Sequence, residues 1–266
     1  MPLHHPKTSH ARSRPGYSLI ELLVVIGLIA LLVAIVLVVI SRVREQARFL
    51  ECQSNQHQLQ VGLVGYSMEH GGKFISPRTA PIGGLPSDLL WARSYNDSGG
   101  LRINPDGTES IQALQDGALW DYVGDDAPYR SPLDPTGRLR SYSLNGFISD
   151  MPDNDANPEY SWAPIADRLS KIKNPANTIW VIPEDDGEPF NLHGWVIHVF
   201  NEQWIDFPID WFEKGKTTVA YVDGSTGKID YANPRLLDHI DGHWADVNSE
   251  TEADFRVFAD LIRVDR

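Results

Sequence analysis

The sequence predicts an α+β protein in which one long N-terminal helix packs on a C-terminal head with an antiparallel β-sheet. Residues 22–40 form an apolar run without charge or proline, and good helix-forming residues continue until Gly71-Gly72. Later in the chain, runs of β-branched and aromatic residues replace the helical pattern, which favours strands. We therefore expect a helix over residues 17–70 and a globular head over residues 71–266.

The first half of the predicted helix has the length of a membrane span. At about 1.5 Å per residue, the nineteen residues 22–40 would cover roughly 28 Å, close to the hydrocarbon thickness of a bilayer. We place the transmembrane segment at about residues 19–40. Glu21 stands at its entrance, where a carboxylate is costly and needs a partner. The simpler alternative is a signal anchor whose Glu21 lies among the lipid headgroups.

The second half of the helix is predicted to be amphipathic. Apolar residues recur there at helical spacing, at Val43, Ala47, Leu50, Leu59, Leu63 and Tyr66. We expect this stripe to pack on a sheet that contains residues 217–231. Within that range, Asp223-Gly224 separates two strand-like runs, which is typical of a β-hairpin.

Weaker patterns indicate five further elements. Short helices are predicted near residues 87–95, with Ser87 as N-cap, and over residues 108–123. Buried-type strands are predicted at residues 178–183 and 193–200. The C-terminal segment predicts a helix that begins with a capping box of Ser249 and Glu252 and buries Phe255, Phe258 and Ile262.

Composition narrows the class of protein. The chain has 266 residues, which leaves enough for one sizeable head core after the helix. Residues 1–16 hold Lys7, Arg12 and Arg14 and no acid, so the rest has 20 basic against 36 acidic residues, a net charge of −16. Such acidity argues against nucleic acid as a partner, because nucleic acids bind basic surfaces. A single cysteine, Cys52, excludes a disulfide within the chain.

A short motif stands immediately before the apolar run. Gly16 is followed by Tyr17, Ser18, two apolar residues and Glu21. This arrangement resembles the type IV prepilin processing site, which pilins share with the pseudopilins of type II secretion. The resemblance implies cleavage after Gly16 by a prepilin peptidase, followed by N-methylation of Tyr17, where the family usually has Phe. Residues 1–16 would then be a cytoplasmic leader.

Further positions are similar to a large-headed subfamily of the same proteins. These are Ala47-Arg48, Cys52, Ser54-Asn55 and Gln58-Leu59 on the helix, and the hairpin turn at Asp223-Gly224. Two departures stand out. Ser131 occupies a position where the subfamily often has cysteine, which leaves Cys52 unpaired. Glu213 occupies the position of a histidine that marks the terminal hairpin, so no role of that histidine is carried over.

Candidate sites for metals and ligands are few. His239 and His243 have a spacing that suits a metal on a helix, but Asp241-Gly242 between them favours a turn. The acidic runs at residues 150–155 and 184–188 offer oxygen ligands for calcium but lack EF-hand spacing. We expect no resident cofactor, with calcium in the head as the one candidate. Eight tryptophans, all after residue 90, suit a large core, although some could line a sugar site.

These features predict a structural subunit and not an enzyme, because no set of nucleophile and base is recognisable. The expected partners are prepilin peptidase, other pilin-like subunits, the inner-membrane assembly machinery and the lipid bilayer. In a filament, Glu21 would pair with the Tyr17 amine of a neighbouring subunit, since a buried carboxylate needs a positive partner. We expect a single-pass inner-membrane protein with its head on the periplasmic or outer side. The alternative is a membrane-anchored head that binds a ligand or glycan without polymerising.

Overall fold

The computed structural model describes residues 18–81, 87–95, 100–105, 109–149, 165–184, 192–209, 215–242 and 244–265. Close contacts between Cα atoms divide the chain into two compact units, residues 1–46 and residues 47–266. The first unit contains the apolar part of the N-terminal helix. The second unit contains the rest of that helix and the head, which holds the sheets of the described residues.

Helix α1 runs from Leu19 to Glu69, which confirms the long N-terminal helix. Its end follows from two glycines, because Gly71 and Gly72 both have positive φ angles, 66° and 82°. The Gly72 backbone N–H donates to the Ser67 carbonyl at 2.7 Å and so satisfies one of the last carbonyls of the helix.

The described part of the head contains further short elements. The helices are α2 (Ile111–Gln115), α3 (Trp120–Val123) and α4 (Glu252–Ile262). The strands are β1 (Tyr142–Leu144), β2 (Ile179–Pro183), β3 (Ile197–His198), β4 (Gln203–Trp204), β5 (Lys216–Tyr221), β6 (Thr226–Asp230) and β7 (Ala245–Asp246). Single 3-10 turns lie at Ser87–Leu89, Ala127–Tyr129, Leu169–Lys171, Pro175–Asn177 and Leu236–His239.

A four-stranded antiparallel sheet, in the order β1-β2-β5-β6, forms the centre of the head. Strand β2 is buried along its whole length, as its unbroken apolar run predicts. The hairpin of β5 and β6 is confirmed, with Ala220 paired to Thr226 next to the turn. In that turn Gly224 has a φ of 105°, and the Asp223 carboxylate accepts the Ser225 backbone N–H at 2.9 Å. Glu213 lies outside the described residues.

A smaller antiparallel sheet has the order β3-β4-β7. The prediction of one strand over residues 193–200 is mostly wrong, because only Ile197 and His198 pair as β3. Residues before β3 instead approach the end of β1: Gly146 donates its N–H to the Trp195 carbonyl at 2.9 Å. The local apolar pattern predicts burial correctly for residues 194–198 but not for Phe200, which is 56% exposed, and it is wrong about most of the strand pairing.

The predicted apolar stripe of α1 is correct in its second half and wrong in its first half. Leu59, Leu63 and Tyr66 belong to the core, and the side chains of Gln56 and Gln60 donate to carbonyls of β5, so the helix packs on the predicted sheet. The prediction for Val43, Ala47 and Leu50 is wrong, since all three are exposed. Phe49, Cys52 and Asn55 are buried in that part of the helix instead.

The predicted helix over residues 108–123 is two helices, α2 and α3. Ser110 is the N-cap of α2, where its side chain accepts the Gln112 N–H at 3.3 Å. Gly117 separates the two helices and lies against the chain at Trp91: a Cβ at Gly117 would come within 2.3 Å of the Trp91 carbonyl oxygen. Near residues 87–95, the structure has one 3-10 turn that includes Ser87, so Ser87 is not its N-cap.

Helix α4 confirms the predicted C-terminal helix and its apolar face, since Phe255, Phe258 and Ile262 are fully buried. The predicted capping box is wrong. Thr251 is the N-cap and makes no side-chain capping bond, so Ser249 and Glu252 do not pair as predicted.

The core is rich in tryptophan, as the composition predicts. Four of the six tryptophans in the described part are fully buried: Trp91, Trp180, Trp195 and Trp204. Trp204 and Trp195 pack against the phenylalanines of α4 with ring centroids 5.2–5.9 Å apart. Most of the tryptophans in the described residues therefore stabilise the head.

Candidate processing and membrane-insertion site

The predicted processing site lies at the very start of the described chain. Ser18 is the first described residue and α1 begins at Leu19, so Gly16 and Tyr17 lie outside the described residues. Among the three predicted site residues, only Glu21 has a described environment. Its position is the first turn of α1.

Ser18 and Glu21 form a reciprocal capping box. The Ser18 backbone N–H donates to Glu21 Oε2 at 2.8 Å, and the Glu21 backbone N–H donates to Ser18 Oγ at 3.2 Å. Two backbone donors that the helix itself cannot satisfy therefore have partners. The carboxylate also lies at the positive end of the helix dipole.

The capping box gives the Glu21 carboxylate a partner within its own chain. The sequence analysis expected a positively charged partner for Glu21 and did not predict the Ser18 backbone N–H, although serine three residues before glutamate is the standard signal of a capping box. Since Ser18 is the second residue after the predicted scissile bond, the box also determines where the helix begins relative to that bond.

Between Leu22 and Ile40, the side chains of α1 are apolar on every side of the helix. The large apolar residues from Leu22 to Ile40 are all between 40% and 62% exposed. A helix that is apolar on all sides and has no covering structure needs an apolar environment, either lipid or other helices. By length and composition, α1 contains a segment that can cross a membrane.

The other candidate sites give no ligand set in the described part of the chain. His239 ends a 3-10 turn, while His243 lies outside the described residues. Glu184 is buried and accepts a hydrogen bond from the Ser143 hydroxyl, so it faces the core. The acidic runs at residues 150–155 and 185–188 fall outside the described residues, and the described ones contain no group of three potential metal ligands.

Cys52 is a buried free thiol. Its Sγ lies 2.8 Å from the Oγ of Ser131, the residue that stands at the predicted subfamily cysteine position. Burial raises the pKa of the Cys52 thiol, which keeps it protonated and unreactive. The sequence contains no catalytic cysteine motif around Cys52. In the structure, the thiol contacts Ser131 inside the head, which indicates a role in packing.

A long apolar N-terminal helix, followed by a head with an antiparallel sheet, is consistent with the α+β architecture of pilin-like proteins. Residues 11–37 match the family described as "Prokaryotic N-terminal methylation motif", over 27 of 266 residues. This motif supports a prepilin-type pilin or pseudopilin precursor, and together with the apolar segment of α1 it suggests membrane anchoring. No curated protein and no solved structure matches the chain.

Proposed function

We propose that the chain is a structural pilin-like subunit, assembled through its N-terminal helix into a type IV pilus or a type II secretion pseudopilus. The observation that carries this proposal is the methylation motif at residues 11–37. The family that this motif marks is structural and not enzymatic. In the proposed order of segments, residues 1–16 are the leader, residues 17–70 the helix with its span near 19–40, and residues 71–266 the head.

Processing comes first in the proposed sequence of events. Prepilin peptidase would cleave after Gly16 and methylate the new N-terminus at Tyr17. The leader would stay in the cytoplasm, with the head on the periplasmic or outer side of the inner membrane. The assembly machinery and other pilin-like subunits would then receive the mature chain from the bilayer.

Assembly would bring the apolar helices together and exclude lipid. The Glu21 carboxylate then requires a positive partner, because a buried ion without one is strongly unfavourable. The Tyr17 amine of a neighbouring subunit is the nearest cation that cleavage creates. Exchange of the capping contact at Ser18 for this ion pair would set the axial register, since the other contacts of the span are non-directional.

The test compares wild type with Glu21→Ala in a host that has a prepilin peptidase and an assembly system. Intact mass should show loss of residues 1–16 and gain of one methyl group in both proteins, at equal membrane levels. Sheared or cross-linked polymer should fall by about tenfold or more in Glu21→Ala, because loss of one partner of a buried ion pair costs several kcal/mol. The matched control is Glu51→Ala, an exposed glutamate on the head part of α1, which should polymerise like wild type.

Three outcomes would contradict the proposal at different steps. A chain that keeps residues 1–16 contradicts processing. Equal polymer from wild type and Glu21→Ala removes the assembly role of Glu21. A processed wild-type chain that forms no polymer with any subunit favours the anchored binding module instead.

A further inference from the structure

A pocket of about 300 Å³ lies in the head where α1 ends. Four segments meet there, and the lining residues are Tyr66, His70, Lys73, Phe74, Ser76, Leu89, Ser149 and Asp167. The volume is at the lower end of the range for small-molecule sites, which suits a ligand of one ring. Nothing in the proposed assembly function uses this pocket.

Two stacked rings form one side of the pocket. The Tyr66 and His70 rings are 3.9 Å apart and nearly parallel, at 11°. His70 Nδ1 donates to the Tyr66 carbonyl at 2.8 Å, which holds the imidazole in place. In the neutral ring, Nε2 is then left as an acceptor. With Phe74, these residues give the pocket an aromatic surface.

The pocket also contains hydroxyl groups with unused hydrogen-bonding capacity. Tyr66 is 96% buried, yet its hydroxyl bonds to no residue that the structure describes. Burial raises the pKa of Tyr66, so the hydroxyl keeps its proton and can donate. The buried Ser76 hydroxyl accepts the Arg78 N–H at 3.3 Å and retains a proton to donate. Both residues line the pocket, where their hydroxyls can bond to water or to a ligand.

Charged groups of both signs complete the lining. Lys73 is exposed and pairs with no acid in the described part of the head. The Asp167 carboxylate lies 2.7 Å from Lys171 Nζ, and this contact lowers the pKa of Asp167, so the group stays ionised and can accept further hydrogen bonds. The set therefore mixes donors and acceptors and has no excess of one charge.

The backbone at Ser149 adds a sign of strain. This buried serine has a φ of 117°, a region that non-glycine residues rarely adopt. Its hydroxyl donates to the Phe74 carbonyl at 3.5 Å, within the pocket wall. Strained residues of this kind cluster at ligand sites because the surrounding structure must hold them.

We propose that this pocket binds one sugar residue, either as a free monosaccharide or as the end of a glycan. Sugar rings present hydroxyls that both donate and accept, and apolar faces that suit aromatic rings, which is the combination that the pocket offers. A wholly apolar ligand would leave Lys73, Ser76 and the Tyr66 hydroxyl unpaired.

The test uses the full chain in phospholipid nanodiscs, because maltoside detergents would introduce a competing sugar. Saturation-transfer difference NMR would be recorded with glucose, galactose, mannose, N-acetylglucosamine and N-acetylgalactosamine, each free and as its methyl glycoside. We expect at least one sugar to bind with a Kd on the order of 1 mM, as ligands of this size allow. If the methyl glycoside binds as tightly as the free sugar, the site is assigned to the ends of glycans. If the methyl glycoside does not bind, the site is assigned to free monosaccharides.

Two variants locate the binding. Tyr66→Phe keeps the ring and removes the hydroxyl, and should weaken binding by about fivefold to tenfold. Lys73→Ala changes an exposed residue, leaves the fold intact and should weaken binding similarly. The control is Tyr122→Phe, whose hydroxyl bonds to Glu69 outside the pocket, and it should bind like wild type. Absence of signal for every sugar at about 20 mM, or binding that neither Tyr66→Phe nor Lys73→Ala changes, would overturn the proposal.

Discussion

At the scale of single residues, one buried carboxylate of the head is matched to backbone partners. The Asp254 carboxylate is 1% exposed and accepts the backbone N–H groups of Ala232 and Asn233 at 2.6 and 2.9 Å. Charge-assisted bonds of this kind offset the cost of burying a carboxylate. Through them, one side chain of α4 ties the C-terminal helix to the segment that follows β6.

His198 is a second buried polar residue, and it makes the stability of the head depend on pH. It is 5% exposed, and its Nδ1 accepts the Asn201 backbone N–H at 3.2 Å, so the imidazole is neutral. Burial lowers the pKa of His198 below its ordinary value of 6.5. Between the two pKa values the unfolded chain binds more protons than the folded chain, so stability falls as pH decreases below about 6.5.

We therefore predict that His198→Asn flattens this pH dependence. The asparagine side chain keeps an acceptor near Nδ1 but does not titrate. Denaturant unfolding between about pH 7.5 and 5 should show a smaller loss of stability in the variant than in wild type. His57→Asn, at an exposed position of α1, is the control and should retain the wild-type slope. Identical slopes for wild type and His198→Asn would contradict the assignment.

At the scale of elements, α1 has one side that the head covers and one that it leaves exposed. Leu59 is fully buried against the sheet, while Leu50, nine residues earlier on the same helix, is 62% exposed. Both are leucines in an α-helix, so their helix propensities are the same. The two leucines differ only in packing. Comparing the same substitution at Leu59 and at Leu50 therefore measures how much contact with the head contributes to stability.

We predict that Leu59→Ala destabilises the head by about 2–5 kcal/mol, because it removes buried methyl groups and leaves a cavity. For a head of this size the melting temperature should fall by roughly 5–15 °C. Leu50→Ala should change it by less than about 2 °C, since surface substitutions are usually within 0.5 kcal/mol. Equal shifts in thermal unfolding monitored by tryptophan fluorescence would show that α1 does not pack as described.

At the scale of the whole molecule, contacts distant in sequence join α1 to the head. Cys52 and Ser131 are 79 residues apart, and their side-chain sulfur and oxygen are 2.8 Å apart. The Tyr142 hydroxyl donates to the Cys52 carbonyl at 3.5 Å in the same buried cluster. This contact joins the helix to the segment before β1 without a covalent bond.

Ser131→Cys should convert this contact into a disulfide when the chain folds in an oxidising compartment. Closing a loop of this length stabilises by about 4 kcal/mol in the chain-entropy account, so the melting temperature should rise in the oxidised form and return on reduction. Non-reducing mass analysis and thiol titration after denaturation measure the bond. Ser131→Ala, which cannot form it, is the control. Two free thiols in the oxidised, folded variant would disprove the predicted geometry.

Local sequence by itself determined the N-terminal helix, its apolar span, the β5–β6 hairpin and the methylation motif. Each depends on neighbouring residues: an uncharged run forms a helix in lipid, Gly71-Gly72 ends one, and Asp223-Gly224 makes a turn. The Ser18 and Glu21 pairing was also readable from spacing alone.

Only the tertiary structure decided which side of α1 is buried in the part of the helix that precedes Leu59. It also decided that the predicted helix over residues 108–123 is divided into α2 and α3. Phe49 and not Leu50 is buried because the head covers that side, and Gly117 is required because the chain at Trp91 passes within contact distance. The pocket beside Tyr66 likewise joins segments up to about a hundred residues apart. Such contacts depend on which distant segments meet, and periodicity within one segment carries no information about that.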